Sequence, residues 1–190
     1  RERHFNLFKR WATVQASRLW PVLGSRYILY GEWLYARHTL FYNWLPHYFV
    51  EFDVFDKTTE TFLSTPRRQA LLAGLPLASA PILYAGQADS LDDLAALSGP
   101  STGIRPGHLA QLQEVCAALN LDPGRALAET DLSELMEGLY IKVEEAEIVQ
   151  ARYKLVRASF LTAVFQSGSH WLSRPIIPNQ LAAGIDIFAP

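Results

Sequence analysis

The sequence predicts an α+β fold in which antiparallel strands dominate. Strand patterns come in neighbouring pairs, 26–34 with 48–56 and 137–144 with 147–156. Between the pairs lies a run of helical patterns, from about 65 to 135, in place of one helix per strand. Of the 190 residues, 49% are hydrophobic and 12% aromatic, enough for one packed core. A doubly wound nucleotide-binding sheet, which needs regular βαβ alternation, is disfavoured.

Each element has a local reason. Phe5, Phe8, Trp11, Ala12 and Leu19 recur at helical spacing, which predicts an amphipathic helix over 3–19. The run RYILYGEWL at 26–34 is rich in Tyr, Ile and Leu and reads as a strand; YFVEFDVFD at 48–56 reads as another, with acids set in an apolar run. Thr65 before Pro66 starts a helix carrying Leu71 and Leu72. A short strand is expected at Ile82–Tyr84. Ser90 and Asp93 form a pair of capping-box type at the start of a second helix. GPSTGIRPG, from Gly99 to Gly107, is the clearest loop. Helices follow at 108–119 and near 123–128, and Asp131 reads as a further N-cap. In the last strand Ile148, Gln150 and Arg152 alternate with Val149, Ala151, Tyr153 and Leu155. A helix at 158–166 and an apolar, Pro-containing tail complete the chain.

Net charge is −2, unevenly spread: residues 1–75 carry ten basic and six acidic side chains, residues 76–190 seven and thirteen. A local basic surface can bind phosphates despite an acidic total. No apolar run is long enough to span a bilayer and no signal peptide is visible, so no membrane association is expected. The lone Cys116 rules out an internal disulfide framework and fits a reducing, cytoplasmic compartment; with Leu112, Val115 and Leu119 around it at helical spacing, it reads as core.

Three short motifs follow one another in order: Tyr30-Gly31-Glu32-Trp33, Phe52-Asp53-Val54-Phe55-Asp56 and Glu137-Gly138-Leu139-Tyr140-Ile141-Lys142. A basic cluster, Arg152, Lys154 and Arg157, comes after them. A carboxylate such as Glu32 in an aromatic strand needs solvent or a partner. Glu137, Leu139 and Ile141 share one side of an ideal strand, with Lys142 on the other. A carboxylate at Glu137 facing a phosphate could hold Mg²⁺. Arg152 and Lys154, two apart, converge positive charge on one spot. No P-loop, Gly-rich dinucleotide loop, HExxH, Cys-based zinc site or nucleophile elbow is present.

In this order the motifs resemble motifs III, IIIa, IV and V of the covalent nucleotidyltransferases, most closely the ATP-dependent RNA ligases. The run Tyr30–Tyr42 is similar to the extended motif III of bacterial RNA ligases, and the tail also resembles this family. The resemblance implies one adenylyltransferase domain of nucleotidyltransferase (ATP-grasp-like) fold over 1–190, with a helical insert at about 65–135. It implies ATP and Mg²⁺ as cofactors and RNA ends as partners, joined in RNA repair through lysyl-AMP and RNA-adenylate intermediates. Glu137 would be the metal ligand. Glu32, Phe52 and Asp53 would form the nucleoside pocket, with Phe55-Asp56 as the other register for that motif. Lys142, Lys154 and either Arg152 or Arg157 would contact phosphates. His38 would have a supporting role, and Arg174 is a candidate contact to nucleic acid. The family's nucleophilic lysine stands in Lys-x-x-Gly, which occurs nowhere here. The chain opens at Arg1, and the expectation is a protein missing its N-terminal segment. The competing class is a ligase-like module that holds nucleotide or RNA ends without chemistry. DNA ligases and capping-type transferases usually add an OB-fold domain, for which the chain has no room.

Overall fold

A computed structural model describes residues 3–166 and 174–189. Helix α1 (Arg3–Leu23) is followed by strands β1 (Tyr27–Trp33), β2 (Phe49–Asp56) and β3 (Thr61–Phe62). Next come α2 (Thr65–Leu72), β4 (Ala78–Ser79), α3 (Leu91–Ala96), α4 (His108–Ala118) and α5 (Pro123–Ala128). The hairpin β5 (Gly138–Glu145) and β6 (Ile148–Val156) then leads into α6 (Ala158–Gln166). The architecture is α+β, and every strand pair but one is antiparallel. No described helix is long and apolar enough to cross a membrane.

Helix α1 runs on to Leu23, through Pro21, and stops at Gly24. Gly24 takes φ +48° and its amide donates to the Trp20 carbonyl, a turn in the left-handed region that favours glycine. Its apolar stripe packs Trp11 against Phe49 of β2 and Ile187 of the tail, so both ends of the chain meet on one face of the sheet. Val54, Leu63 and Leu72 form a second cluster beneath the same sheet. Cys116 is buried with Phe41, Leu112, Ala126 and Ile177.

Two sequence expectations are corrected. Ile82–Tyr84 forms no strand and is exposed; the strand lies earlier, at Ala78–Ser79, where it pairs in parallel with Val50 and Glu51. Asp131 caps no helix. Its carboxylate accepts from the Ser133 amide at 2.9 Å and from Arg157 at 2.5 Å. Ser90 does cap α3, accepting from the Asp93 amide at 3.1 Å.

The tail latches the connector between β1 and β2. Asn179, fully buried, donates from its side chain to the Leu34 carbonyl and accepts from the Tyr42 amide. Its own amide donates to Tyr35, and its carbonyl accepts from the Tyr48 hydroxyl. Trp171, which the sequence marks as a residue of the apolar tail expected to dock on the domain, lies outside the described residues.

At the far end of β2, Arg26 grips Asp56 with three hydrogen bonds, the shortest 2.6 Å. These bonds, against the opposing effect of burial and with help from the Thr58 amide, bring the Asp56 carboxyl down to about 2. The folded value lies below the ordinary 3.8, so this stabilisation is present above 3.8 and is lost as the pH falls through about 2. Asp56→Asn does not titrate and should lose less melting temperature than the parent between about pH 5 and pH 2. Parallel melting curves on the acid side would contradict this account.

Candidate functional site

The β1–β2 sheet buries one face on α1 and α2 and turns the other toward the β5–β6 hairpin. The register pairs Tyr30 with Asp53 and Glu32 with Val50, and cross-strand partners share a face. Between these pairs the register slips by one residue, and Phe52 has no partner across the strand. Such a bulge re-aims side chains, and here it brings Phe52 and its neighbour Asp53 both to Tyr140 of the hairpin. Glycine is required opposite: a Cβ on Gly31 would run into the Phe49 ring and lie 2.9 Å from the Val50 carbonyl oxygen.

In the hairpin, Tyr140 pairs with Lys154 and Lys142 with Arg152. Residues two apart share a face, so these four side chains form one patch. A Cβ on Gly138 would overlap the Leu155 carbonyl oxygen, so the close approach of β5 to β6 at this point demands glycine.

Asp53 is the hub between the two sheets, and it is fully buried. Lys142 Nζ lies 2.8 Å from its Oδ1, Arg152 Nη1 lies 3.3 Å from its Oδ2, and the Tyr140 hydroxyl donates to Oδ2 at 2.5 Å. Lys142 also donates to the Phe52 carbonyl at 2.6 Å. Burial, then the bond to Asp53, pushes the Tyr140 phenol up to about 12, so it stays a donor near neutral pH. The Phe52 and Tyr140 rings meet edge to face, 5.4 Å apart, and Arg152 stacks 3.7 Å over Phe62.

Beside the hub is a second, more polar group. Glu137 stands just before β5 and is half-buried. Burial raises its carboxyl pKa first; the Glu32 carboxylate adds to this and Lys154 pulls the other way. The Tyr42 phenol is raised by burial and then by Glu137 and Glu32. Glu32, Tyr42, Glu137 and Lys154 therefore share one electrostatic neighbourhood. Among the described residues no three His, Cys, Asp or Glu side chains are arranged to hold a metal ion.

Other sequence candidates lie elsewhere. The Arg157 guanidinium is engaged by Asp131, Ser159, Ser133 and the Met136 carbonyl, and its amide donates to the Glu137 carbonyl. It braces the approach to β5, whereas Arg152 lies in the patch. Asp56 is held by Arg26 on the opposite face. His38 is exposed, and its carbonyl accepts from Arg174, whose side chain is turned inward against Glu129. Sequence reasoning passed over Tyr140, Tyr42 and Phe62 as site residues. For Tyr140 a signal existed: it alternates with Lys142, and the hairpin register sets it opposite Lys154.

The junction sets Lys142, Arg152 and Tyr140 of the hairpin against Asp53 and Phe52 of the sheet, and cations beside aromatic rings suit a ligand that carries both a phosphate and a planar ring. The RNA ligase family matches residues 1–156, a stretch that ends with β6. The chain belongs to the RNA ligase family, and membership points to RNA ligation. No curated protein and no solved structure matches it.

Proposed function

We propose that this chain is the adenylyltransferase domain of an ATP-dependent RNA ligase, with the nucleotidyltransferase fold and a helical insert at about 65–135. The supporting observation is that Glu32, Asp53, Tyr140, Lys142, Arg152 and Lys154 come from four strands, with Asp53 of the sheet in contact with Lys142, Arg152 and Tyr140 of the hairpin. In this reading the adenine sits by Phe52, with Glu32 toward the ribose and Asp53 setting the cations. Lys154 and Arg152 neutralise phosphate charge as it builds up, and Lys142 supports them from the Asp53 side. The family's nucleophilic lysine would attack the α-phosphate of ATP, with pyrophosphate leaving. The AMP then passes to an RNA 5′-phosphate, and a 3′-hydroxyl displaces it as the strands join. Each step is a phosphoryl-type transfer, in which positioning and charge neutralisation dominate.

Mg²⁺ fits this arrangement. Glu137 and Glu32 are two carboxylates whose mutual repulsion a cation would relieve. Mg²⁺ commonly takes one or two protein carboxylates and completes its shell with phosphate and water. When bound, it would polarise the phosphates.

The test is to incubate the natural full-length polypeptide with Mg²⁺ and α-labelled ATP and to run a denaturing gel. A covalent label is expected. Glu137→Ala and Lys154→Ala should each slow labelling by ~10²–10³-fold, the usual effect of removing one charge-stabilising group. ATP binding with no label would replace this reading with a module that holds nucleotide or RNA ends without chemistry.

A further inference from the structure

A cleft lies on the insert side of the fold. It encloses about 510 Å³ and is walled by the β1–β2 connector, the loop before α4, α4 itself and the tail. Trp44 stands in it, 41% exposed, so its ring is open to a stacking partner. The Arg105 guanidinium sits 5.7 Å from the centre of the Trp44 ring. Asn43 fixes both walls: its side chain accepts from the Arg105 amide at 2.7 Å and donates to Gln111 Oε1 at 2.7 Å. The Trp44 amide donates to the Gly103 carbonyl at 3.0 Å, so the platform and the arginine are held by the same contacts. The amide side chains of Gln111 and Gln180 also face the cleft.

We propose that this cleft binds single-stranded RNA, one base stacking on Trp44 and an adjoining phosphate at Arg105; this rests on the RNA ligase reading above. An aromatic ring beside an arginine is the pairing that holds a base and its backbone without demanding a sequence. Among the described residues lining the cleft, Arg105 brings one positive charge and Glu114 one negative charge. That balance suits a single phosphodiester better than a triphosphate, which separates this site from the cation-rich one between the sheets. The Trp44 Cα lies within about 7 Å of the Tyr42 Cα, two residues along the chain. Tyr42 in turn packs against the same cluster of Leu40, Ile104 and Phe160 as Val156 at the end of β6. A strand lying in the cleft would thus lead toward the proposed ATP site, with the insert supplying one wall of its path.

The experiment measures binding of a fluorescent, 5′-phosphorylated single-stranded RNA to the full-length polypeptide by anisotropy. Trp44→Ala and Arg105→Glu should each weaken binding at least about fivefold, the lower end for one lost stack, while Trp44→Phe should retain most of it. Adenylylation by ATP should stay within about twofold of the parent in all three, because neither residue belongs to the ATP site. Melting temperature checks each fold, and Arg105→Glu, at an exposed side chain, carries the test if Trp44→Ala is unstable. Unchanged RNA affinity in the folded variants would overturn the proposal, as would displacement of the RNA from the parent by saturating ATP. Failure of the parent to form a covalent label is read in the separate gel and bears on the ligase reading alone.

Discussion

Arg68→Met is expected to destabilise the protein by about 3–5 kcal/mol, the usual result of stripping one partner from a buried ion pair. Arg68 and Glu51 side chains are 3% and 1% exposed, with Arg68 Nη1 at 2.7 and 2.6 Å from the two carboxylate oxygens. Ser79 donates to the same carboxylate through a short hydrogen bond. Glu51 thereby joins α2, β2 and β4 at one point. Methionine matches the arginine stem in apolar bulk, so the loss reports the orphaned charge rather than a hole. A stability of about 5–15 kcal/mol is typical of domains this size, and the single variant should therefore melt far below the parent. The pair Glu51→Leu with Arg68→Met should recover most of the loss, because apolar replacements of similar volume remove the desolvation cost with the attraction. Urea unfolding of the parent, both single variants and the double variant measures this. A loss under about 1 kcal/mol in Arg68→Met, the range of exposed pairs, would show that water reaches Glu51.

Asp53→Asn is expected to loosen the hairpin from the sheet and to disable the proposed site together. Asparagine keeps the shape and removes the charge that holds Lys142 and Arg152. Asp53 is fully buried and Lys142 only 11% exposed, so this half of the cluster should cost about 3 kcal/mol when broken. Arg152 is 40% exposed, so its share is small and screened. Arg152→Ala should accordingly leave the melting temperature almost unchanged while slowing labelling by ATP. Hydrogen exchange locates the effect: in Asp53→Asn the β5–β6 amides should exchange faster while those of β1 and β2 hold. Faster exchange across the whole sheet would mean that Asp53 serves the core and not the junction.

Much of the fold was legible because its signals are local. The strands expected at 26–34, 48–56, 137–144 and 147–156 occur at 27–33, 49–56, 138–145 and 148–156, since alternation and aromatic content act within each segment. Ile82–Tyr84 has the same composition but finds no partner strand. Ala78–Ser79 is recruited instead by Val50 and Glu51, a pairing that no local pattern encodes. Asp131 resembles a cap in sequence, but Arg157, 26 residues away, takes its carboxylate. In the site, alternation set Lys142 opposite Leu139, and in the structure Lys142 joins Tyr140, Arg152 and Lys154. Glu137 stands ahead of β5, where alternation does not apply. The slip that leaves Phe52 unpaired was invisible, because a bulge depends on both strands.

The latch at Asn179 has a consequence for the timing of synthesis. It ties Leu34, Tyr35, Tyr42 and Tyr48 to a residue 131 to 145 positions later. On the ribosome the N-terminal part emerges first, at about 5–20 residues per second. Helix α1 and the β1–β2 pair can form early, yet the stretch carrying Tyr42 and Trp44 has to wait many seconds for its fastener. A chain stopped short of residue 179 would keep most of its sheet and leave this stretch unheld. Assembly of the Trp44 cleft is thus tied, through this one residue, to synthesis passing position 179.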